Sequence, residues 1–567
     1  MNATDWISRS DAIAEPVVAL YALAEPEQSS QIGLTQADAR TTDLAEGWRE
    51  RVGAAARAAN ARLDRAAAEE QEPRVREDVA ILRRAVDDIV RGIEVSDAHE
   101  VPFVDVARIV FSGLRVLLDE QNPPERRELA LVRLRRYAGF EEIPPLTASA
   151  EREIRERLAI PGRLPPYERQ LRTALALVPV LLDGLEQMLR TAGVRDWEAP
   201  LAALRGQLDA YGTFVERELL PRARTDHRLP AEVYAFNLHR VGVDIPPAEL
   251  AARAHAAFDQ IAAEIRALAP RVAAAKGFAA GDYREVIRTL KREQITGGAD
   301  AIVAFYRARL AEIETIVRRE RLVTLPAREA RIRVASLAES AELPVAHMNP
   351  PPLVGNTGQA GEFVLPLDVP PAPGGAATER SDDFTHDAVT WTLVAHEARP
   401  GHELQFDRML SAGLSLARAV FAFNSVNVEG WALYTEAMML PYMPPEGQLC
   451  SLLMRLHRAA RAFLDPELQS GAIAPDEAQA FLEREIVYSP PFARSEIERY
   501  TFRAPGQATS YFYGYTKLVA LRAETEAQLG ERFSALAFHD FVVDQGLVPP
   551  DALRSAVLER FVPGVAV

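Results

Sequence analysis

The sequence predicts a mainly α-helical protein, on three observations. Ala, Leu, Arg and Glu dominate it, and all four are strong helix formers. Apolar residues recur at helical spacing in many segments. The helical period then fails after about residue 340, in a proline- and glycine-rich stretch, before helices resume. In VREDVAILRRAVDDIV, Leu82, Ala85, Val86 and Ile89 fall on one face, and in AIVAFYRARLAEIETIVRRERL so do Ile302, Phe305, Ile313 and Ile316. Both stripes read as core-facing. Prolines in RLAIPGRLPPYERQ at 157–170 and IPPAEL at 245–250 separate helices. No repeat of fixed period is visible.

The exceptional stretch is LPVAHMNPPPLVGNTGQAGEFVLPLDVPPAPGG. Within it GEFVLPLD, 361–368, fits a short strand bounded by Gly361 and a proline-rich turn. THDAVTWTLVAHEA returns to helix, and the last interruption is RYTFRAPGQATSYFYGY at 499–515. The polar and aromatic peculiarities thus lie late in the chain. We expect 1–340 to be a mostly helical scaffold and cleft wall and 341–567 to carry the chemistry, the two packed as one unit.

At 567 residues the chain is too long for one small core. A formal net charge of −16, with no long basic patch, argues against nucleic-acid binding. The single cysteine, Cys450, cannot form an intrachain disulfide, which agrees with a reducing compartment. MNATDWISRSDAIAEP lacks the basic and apolar regions of a signal peptide. The most apolar run, ALALVPVLL at 174–182, is too short to span a bilayer. These features lead us to expect a cytoplasmic protein without a membrane partner.

The most informative stretch is HEARPGH, from His396 to His402. It begins like a zinc-peptidase helix, in which two histidines stand four apart with a glutamate beside the first. Here Pro400 occupies the fourth position and the second histidine comes two residues later. Six residues of regular helix would point His402 about 120° away from His396. Pro400 and Gly401 make regularity improbable, because proline removes a helix hydrogen bond and glycine admits unusual backbone angles. Two readings follow from the spacing. Either a distorted turn rotates His402 back toward His396, or a helix ends at Pro400 and ordinary packing satisfies the two imidazoles separately. In the metal reading Glu397 is the natural base beside a zinc-activated water. FAFNSVNVEGWALYTEAMM offers two further carboxylates, Glu429 and Glu436, seven residues apart and so on one helical face. A carboxylate among apolar neighbours needs a partner, and a metal would provide one.

HEARPGHELQ, NVEGWALYTEA, RYTFRAPGQATSYFYGY and the closing FHDFVVDQGLVPPDAL together resemble the bacterial DUF885 family, predicted zinc-dependent peptidases related to the gluzincins. SSQIGLTQADARTTDL and RLPAEVYAFNLHR extend the resemblance over nearly the whole chain. The chain keeps His396 with Glu397, Pro400-Gly401-His402, Glu429 to Ala432, and Pro505 to Ala508; it departs at Glu403, where many relatives have a second histidine.

The resemblance implies a helical metallopeptidase scaffold with a deep cleft and a small β-sheet beside the metal-binding helix. GEFVLPLD is then expected as the edge strand that holds extended substrate. It implies one Zn2+ per chain held by His396, His402 and Glu429, with Glu436 orienting an imidazole and Glu397 as base. Tyr511 is the favoured oxyanion donor, with Gly514 allowing close approach and Tyr515 nearby. Arg499 and Arg503 are candidates to clamp a substrate carboxylate, which would favour a carboxypeptidase or dipeptidase mode; a structural ion pair fits them equally. His539 is a donor or, more simply, a packed residue. The implied activity is hydrolysis of short peptides. The alternatives are hydrolysis of a non-peptide amide, and an inactive peptidase-like binding protein.

Overall fold

The computed structural model describes residues 5–141, 143–279, 281–370, 378–380 and 382–566. Helices predominate, and the apolar stripes read from the sequence explain how they pack. Asp5–Ala24, Trp48–Glu69 and Pro73–His99 close a first core around Ile13, Val17, Leu63, Leu82 and Val86. Val106–Leu118, Pro124–Tyr137, Leu146–Leu158, Glu168–Thr191 and Glu198–Phe214 enclose a second, around Phe111, Leu114, Leu134 and Leu185. The largest core runs from Tyr234 to Phe561. Its backbone is a pair of long helices, Pro247–Lys276 and Pro445–Ser470, packed along each other. Ile261, Ile265 and Val272 on the first face the same core as Leu449, Leu456 and Phe463 on the second. In Gly298–Glu320, Ile302 and Ile313 are fully buried as expected, but Tyr306 takes the core position beside a half-buried Phe305. Among the described residues no helix is long and apolar enough to cross a membrane.

The helical period fails where a small sheet forms. Strands β1 (Arg331–Val334), β2 (His347–Asn349) and β3 (Glu362–Leu365) stand in the order β1-β3-β2. β3 pairs parallel with β1, with Arg331 opposite Glu362, and antiparallel with β2, with His347 opposite Val364. GEFVLPLD therefore supplies the central strand, which corrects the expectation that it is an edge. All four residues of β3 are buried, which fits a strand covered on both faces and flanked on both sides. The free edges belong to β1 and β2. Asp368–Val369 forms a separate two-stranded ribbon with Glu379–Arg380. Phe363 of β3 meets Tyr306 edge-on at 5.4 Å, and the Tyr306 hydroxyl donates to the Phe384 carbonyl at 2.6 Å. The sheet is thereby tied to the segment that leads into the first-histidine helix.

Candidate metal centre

The first histidine lies near the end of helix Asp387–Glu397, buried all round from Ala388 to Glu397. Such a helix has no polar face to expose, and AVTWTLVA supplies none. It ends at Ala398, whose amide donates to Val394 O at 3.0 Å. Pro400 has no N–H to give the His396 carbonyl. The Ala395 carbonyl is taken instead by the Thr435 hydroxyl at 2.8 Å. A second helix, His402–Ala412, then begins, with Glu403 N reaching back to Ala398 O at 3.1 Å. Gly401 is pressed so tightly on the first helix that an added Cβ would lie 2.5 Å from Ala395 O. Trp431 holds the turn from the far side, its indole N–H donating to Pro400 O at 3.0 Å and Gly401 O at 3.3 Å.

HEARPGH is thus two helices joined by a tight turn. The imidazoles nevertheless converge, with ring centroids 4.8 Å apart and planes nearly perpendicular at 86°. The turn brings His402 back beside His396, as the distorted-turn reading expects, and it does so by ending one helix and starting another.

Glu429 comes from helix Ser425–Met439, whose start is capped by the Asn424 side chain on the Asn427 amide at 3.2 Å. Glu429 Oε2 lies 3.6 Å from His396 Nε2 and 3.3 Å from His402 Nε2. That oxygen is buried and makes no hydrogen bond of good geometry, and neither does His402 Nδ1. The ligating atoms of His396, His402 and Glu429 all lie within 4.8 Å of one another. Glu436, two turns along the same face, meets the other side of the first imidazole. His396 Nδ1 is 2.7 Å from Glu436 Oε1, and Glu436 Oε2 accepts from the Thr392 hydroxyl at 2.6 Å. With Nδ1 bound to a carboxylate, Nε2 is the nitrogen that faces Glu429, and a proton or a metal ion can lie between the two. Glu397 Oε1 lies 4.0 Å from the same Nε2.

The charges agree with this geometry. Burial opposes a proton on His396, but Glu397, Glu429 and Glu436 outweigh it and push the imidazole up to about 9. Burial would raise Glu429, yet the two histidines hold it well below the usual carboxylate range. Burial also opposes ionisation of Glu436, and Arg458 and His396 overcome it. Glu397 is pushed up, chiefly by burial. A cluster in which carboxylates draw a proton onto an imidazole is one that a divalent cation can enter in the proton's place. The unpaired Glu429 oxygen and the two imidazole nitrogens form a donor set, two histidines and one glutamate, that suits Zn2+.

Tyr511 stacks near the site, its ring 6.2 Å from the His396 ring and tilted by only 14°. Burial pushes its phenol up, as does Glu429. The other residues singled out in the sequence fall as follows. Arg503 is tied to Glu498, with Nε and Nη2 on one carboxylate oxygen at 3.0 and 2.9 Å. Arg499 is 3.6 Å from Glu496, and its Nη1 is buried without a hydrogen bond. Tyr515 lies half-buried under the Arg455 guanidinium. His539 is fully buried between the Tyr434 hydroxyl and the Leu322 carbonyl, 2.8 and 2.6 Å away. Glu403 pairs with Arg399, at 3.0 Å through Nη2, so the departure from the family pattern touches a neighbouring ion pair and leaves the three-ligand cluster intact. Sequence reasoning missed Arg455, Arg458 and Arg461. Their signal was three arginines at three-residue intervals in the otherwise apolar CSLLMRLHRAARAFL.

Fold and site together define a large helical protein with a small mixed sheet and a candidate His-His-Glu metal cluster. A family model described as "Bacterial protein of unknown function (DUF885)" matches residues 26–557, and the chain belongs to that family. None of the curated proteins matches it. Two solved structures share the fold. One is the putative lipoprotein from Colwellia psychrerythraea, 18% identical, with a TM-score of 0.77 over 98% of this chain and 100% of that one. The other is a putative lipoprotein of unknown function from Shewanella oneidensis, 19% identical, with a TM-score of 0.69 over the same shares.

These likenesses correct three expectations. Proteins of this fold are described as putative lipoproteins, so a cytoplasmic location and the absence of a membrane partner are both withdrawn. The physical ground for them was thin: the lone Cys450 is buried and reports no compartment. Neither relative is described as a peptidase or a zinc protein, so an identity as a cytoplasmic zinc peptidase is not what the likeness supports.

Proposed function

We propose that this protein is a zinc-dependent hydrolase, with one Zn2+ per chain, that cleaves short peptides in a cleft over the His396, His402 and Glu429 side chains. The observation that carries this is the single Glu429 oxygen facing both Nε2 atoms, at 3.6 and 3.3 Å, without a hydrogen bond of its own. The cluster is not sealed, since the Glu429 side chain keeps 14% of its exposure. A Zn2+ held there supplies Lewis acidity toward a water and an amide carbonyl. Glu397 accepts the proton of the attacking water and returns it to the departing amine; its raised proton affinity suits both halves of that task. Glu436 holds His396 in the orientation that presents Nε2. Tyr511, kept neutral by burial, donates to the oxyanion that develops on the substrate. The free edge of β2 offers backbone pairing for an extended peptide. Met348 of β2 packs with Phe406, Met409 and Val428, which flank His402 and Glu429 in sequence.

The test is zinc analysis of the folded protein together with hydrolysis of a diverse peptide mixture, followed by mass spectrometry. Near-stoichiometric zinc, cleavage, and loss of cleavage but not of zinc in Glu397→Gln are expected. Cleavage only of non-peptide amides would move the substrate class. A folded, zinc-loaded protein that cleaves nothing would overturn the proposal.

A further inference from the structure

Helix Pro445–Ser470 carries Arg455, Arg458 and Arg461 on the side that faces Tyr511 and Tyr515, and Arg499 joins them from a neighbouring segment. The Arg461 and Arg458 guanidinium carbons stand 4.5 and 5.8 Å from the Tyr511 ring centroid, and that of Arg455 stands 5.5 Å from Tyr515. Among the described residues, two carboxylates are within ion-pair distance of these four cations. Glu496 is bound by Arg461 at 2.6 and 2.8 Å and approached by Arg499 at 3.6 Å. Glu436 lies 3.4 Å from Arg458 Nη2 but is already engaged with His396 and Thr392. At ion-pair distance, four guanidinium groups therefore share two carboxylates, close to the candidate metal centre.

The surplus is visible as missing hydrogen bonds. Arg455 Nε and Nη2, Arg458 Nε and Arg499 Nη1 are buried and have no hydrogen-bond partner among the described residues. Arg458 is only 6% exposed, so water does not readily serve it. Buried N–H groups are ordinarily paired, and an unpaired set in one place calls for a ligand. Arg455 and Arg499 are partly exposed and lead to the buried Arg458. Arg503, by contrast, is satisfied by Glu498 and has no such role. A guanidinium fork matches a planar carboxylate with two parallel hydrogen bonds.

We propose that Arg455, Arg458 and Arg499 form a subsite for a carboxylate of the substrate, the free C-terminus of a short peptide. This rests on the hydrolase proposed above for the direction in which the peptide lies, and it makes that enzyme one that works from the C-terminal end. Arg461 is a positioning residue, held by Glu496 beneath the Tyr511 ring.

The experiment separates binding from chemistry. Metal-free protein is titrated calorimetrically with acetyl-trialanine, its C-terminal amide, and acetyl-Ala-Ala-Asp-amide, which carries the carboxylate on a side chain. The free acid is expected to bind at least about tenfold more tightly than the amide, as charge-assisted pairing implies. That preference should vanish in the Arg455→Met, Arg499→Met double variant and persist in part in Arg499→Lys. Equal binding of acid and amide by the native protein overturns the subsite, whether or not the double variant folds. So does a preference that survives in a folded double variant. If the aspartyl amide binds as tightly as the free acid, the subsite reads any carboxylate and the assignment to the C-terminus is overturned. Hydrolysis of the same three compounds by zinc-loaded protein is followed in parallel. Hydrolysis of none of them, alongside a clear acid preference in binding, removes the hydrolase and leaves the carboxylate subsite standing. Hydrolysis of acid and amide at equal rates does the reverse.

Discussion

Gly430 and Gly514 face each other where two helices of the centre cross. A Cβ on Gly430 would come within 2.6 Å of the Gly514 carbonyl carbon, and one on Gly514 within 2.8 Å of the Gly430 Cα. The two backbones touch, and the contact is what allows Glu429 and Tyr511, each close in sequence to one of these glycines, to flank the same imidazole.

Gly514→Ala is therefore expected to destabilise the protein by about 3 kcal/mol or more, the upper range for overpacking, because rigid backbone has to move. It should also lower zinc affinity, by pushing Glu429 off its position opposite the histidines. Thermal unfolding and a zinc competition titration measure the two effects. A normal melting temperature with normal zinc affinity would show that the helices have slack that the geometry denies.

Trp431→Phe keeps the ring and removes the indole N–H from Pro400 O and Gly401 O. The hydrogen bonds are worth about 1 kcal/mol in stability, and leaving buried carbonyls unpaired adds about 1–3 kcal/mol. The sharper effect is expected on metal binding, because the turn sets the direction of His402. Zinc affinity should fall by about tenfold, the lower end of the range for altering groups that orient a ligand. Loss of stability alone, with zinc affinity intact, would mean that the turn holds its shape without the indole.

Much of this was legible in the sequence, and for physical reasons. Helical stripes such as Leu82 and Val86 predicted a helical fold because burial follows the 3.6-residue period. The four residues of β3 announced a strand by the apolar run in GEFVLPLD. Its place in the sheet could not be read, because a strand's neighbours are set by distant segments: Arg331–Val334 and His347–Asn349 carry no mark of pairing with it. The seven-residue separation of Glu429 and Glu436 correctly put both carboxylates on one face, each against a different nitrogen of His396. The turn at Pro400-Gly401 was recognisable as a break, but its direction depends on Trp431 and Thr435 from another helix. The arginine subsite stayed hidden because single arginines usually point to solvent, and only the fold reveals that Arg458 does not.

Asp465 makes a prediction about pH that leaves the centre untouched. It is fully buried, accepts from the Tyr234 hydroxyl at 2.8 Å, and accepts from Gly506 N, of the Pro-Gly-Gln-Ala motif, at 2.9 Å on each oxygen. Burial pushes its carboxyl up to about 7, against the pull of these donors. Below about pH 4 folded and unfolded chains both hold this proton. Between about 4 and 7 only the folded chain keeps it, so this group's contribution to stability declines as pH rises through that window and is level above it. Asp465→Asn keeps one oxygen, which can still accept from the Tyr234 hydroxyl and Gly506 N, and cannot ionise. Its stability relative to the native protein should therefore rise from pH 5 to pH 8, as urea denaturation at the two values would show. A difference that does not change with pH would mean that Asp465 is ionised throughout.

Glu436 and Glu429 divide the two nitrogens of His396 between them, and their variants should differ in kind. Glu436→Gln keeps an oxygen that can accept from Nδ1–H, so the ring retains its orientation. It loses the negative charge that balances Arg458 and supports the basicity of the imidazole. Zinc affinity should fall by about 10–100-fold, as is typical when a ligand's outer partner is altered. Glu429→Gln removes the carboxylate that faces both Nε2 atoms, and zinc should then no longer be retained through dialysis. Both variants are expected to stay folded, because Gln is close in shape to Glu and each site keeps an acceptor. Titration against a chelating dye, with circular dichroism as the check on folding, reads the contrast directly. Should Glu436→Gln abolish retention and Glu429→Gln merely weaken it, the third ligand is Glu436, and the first imidazole would have to bind through Nδ1 instead of Nε2.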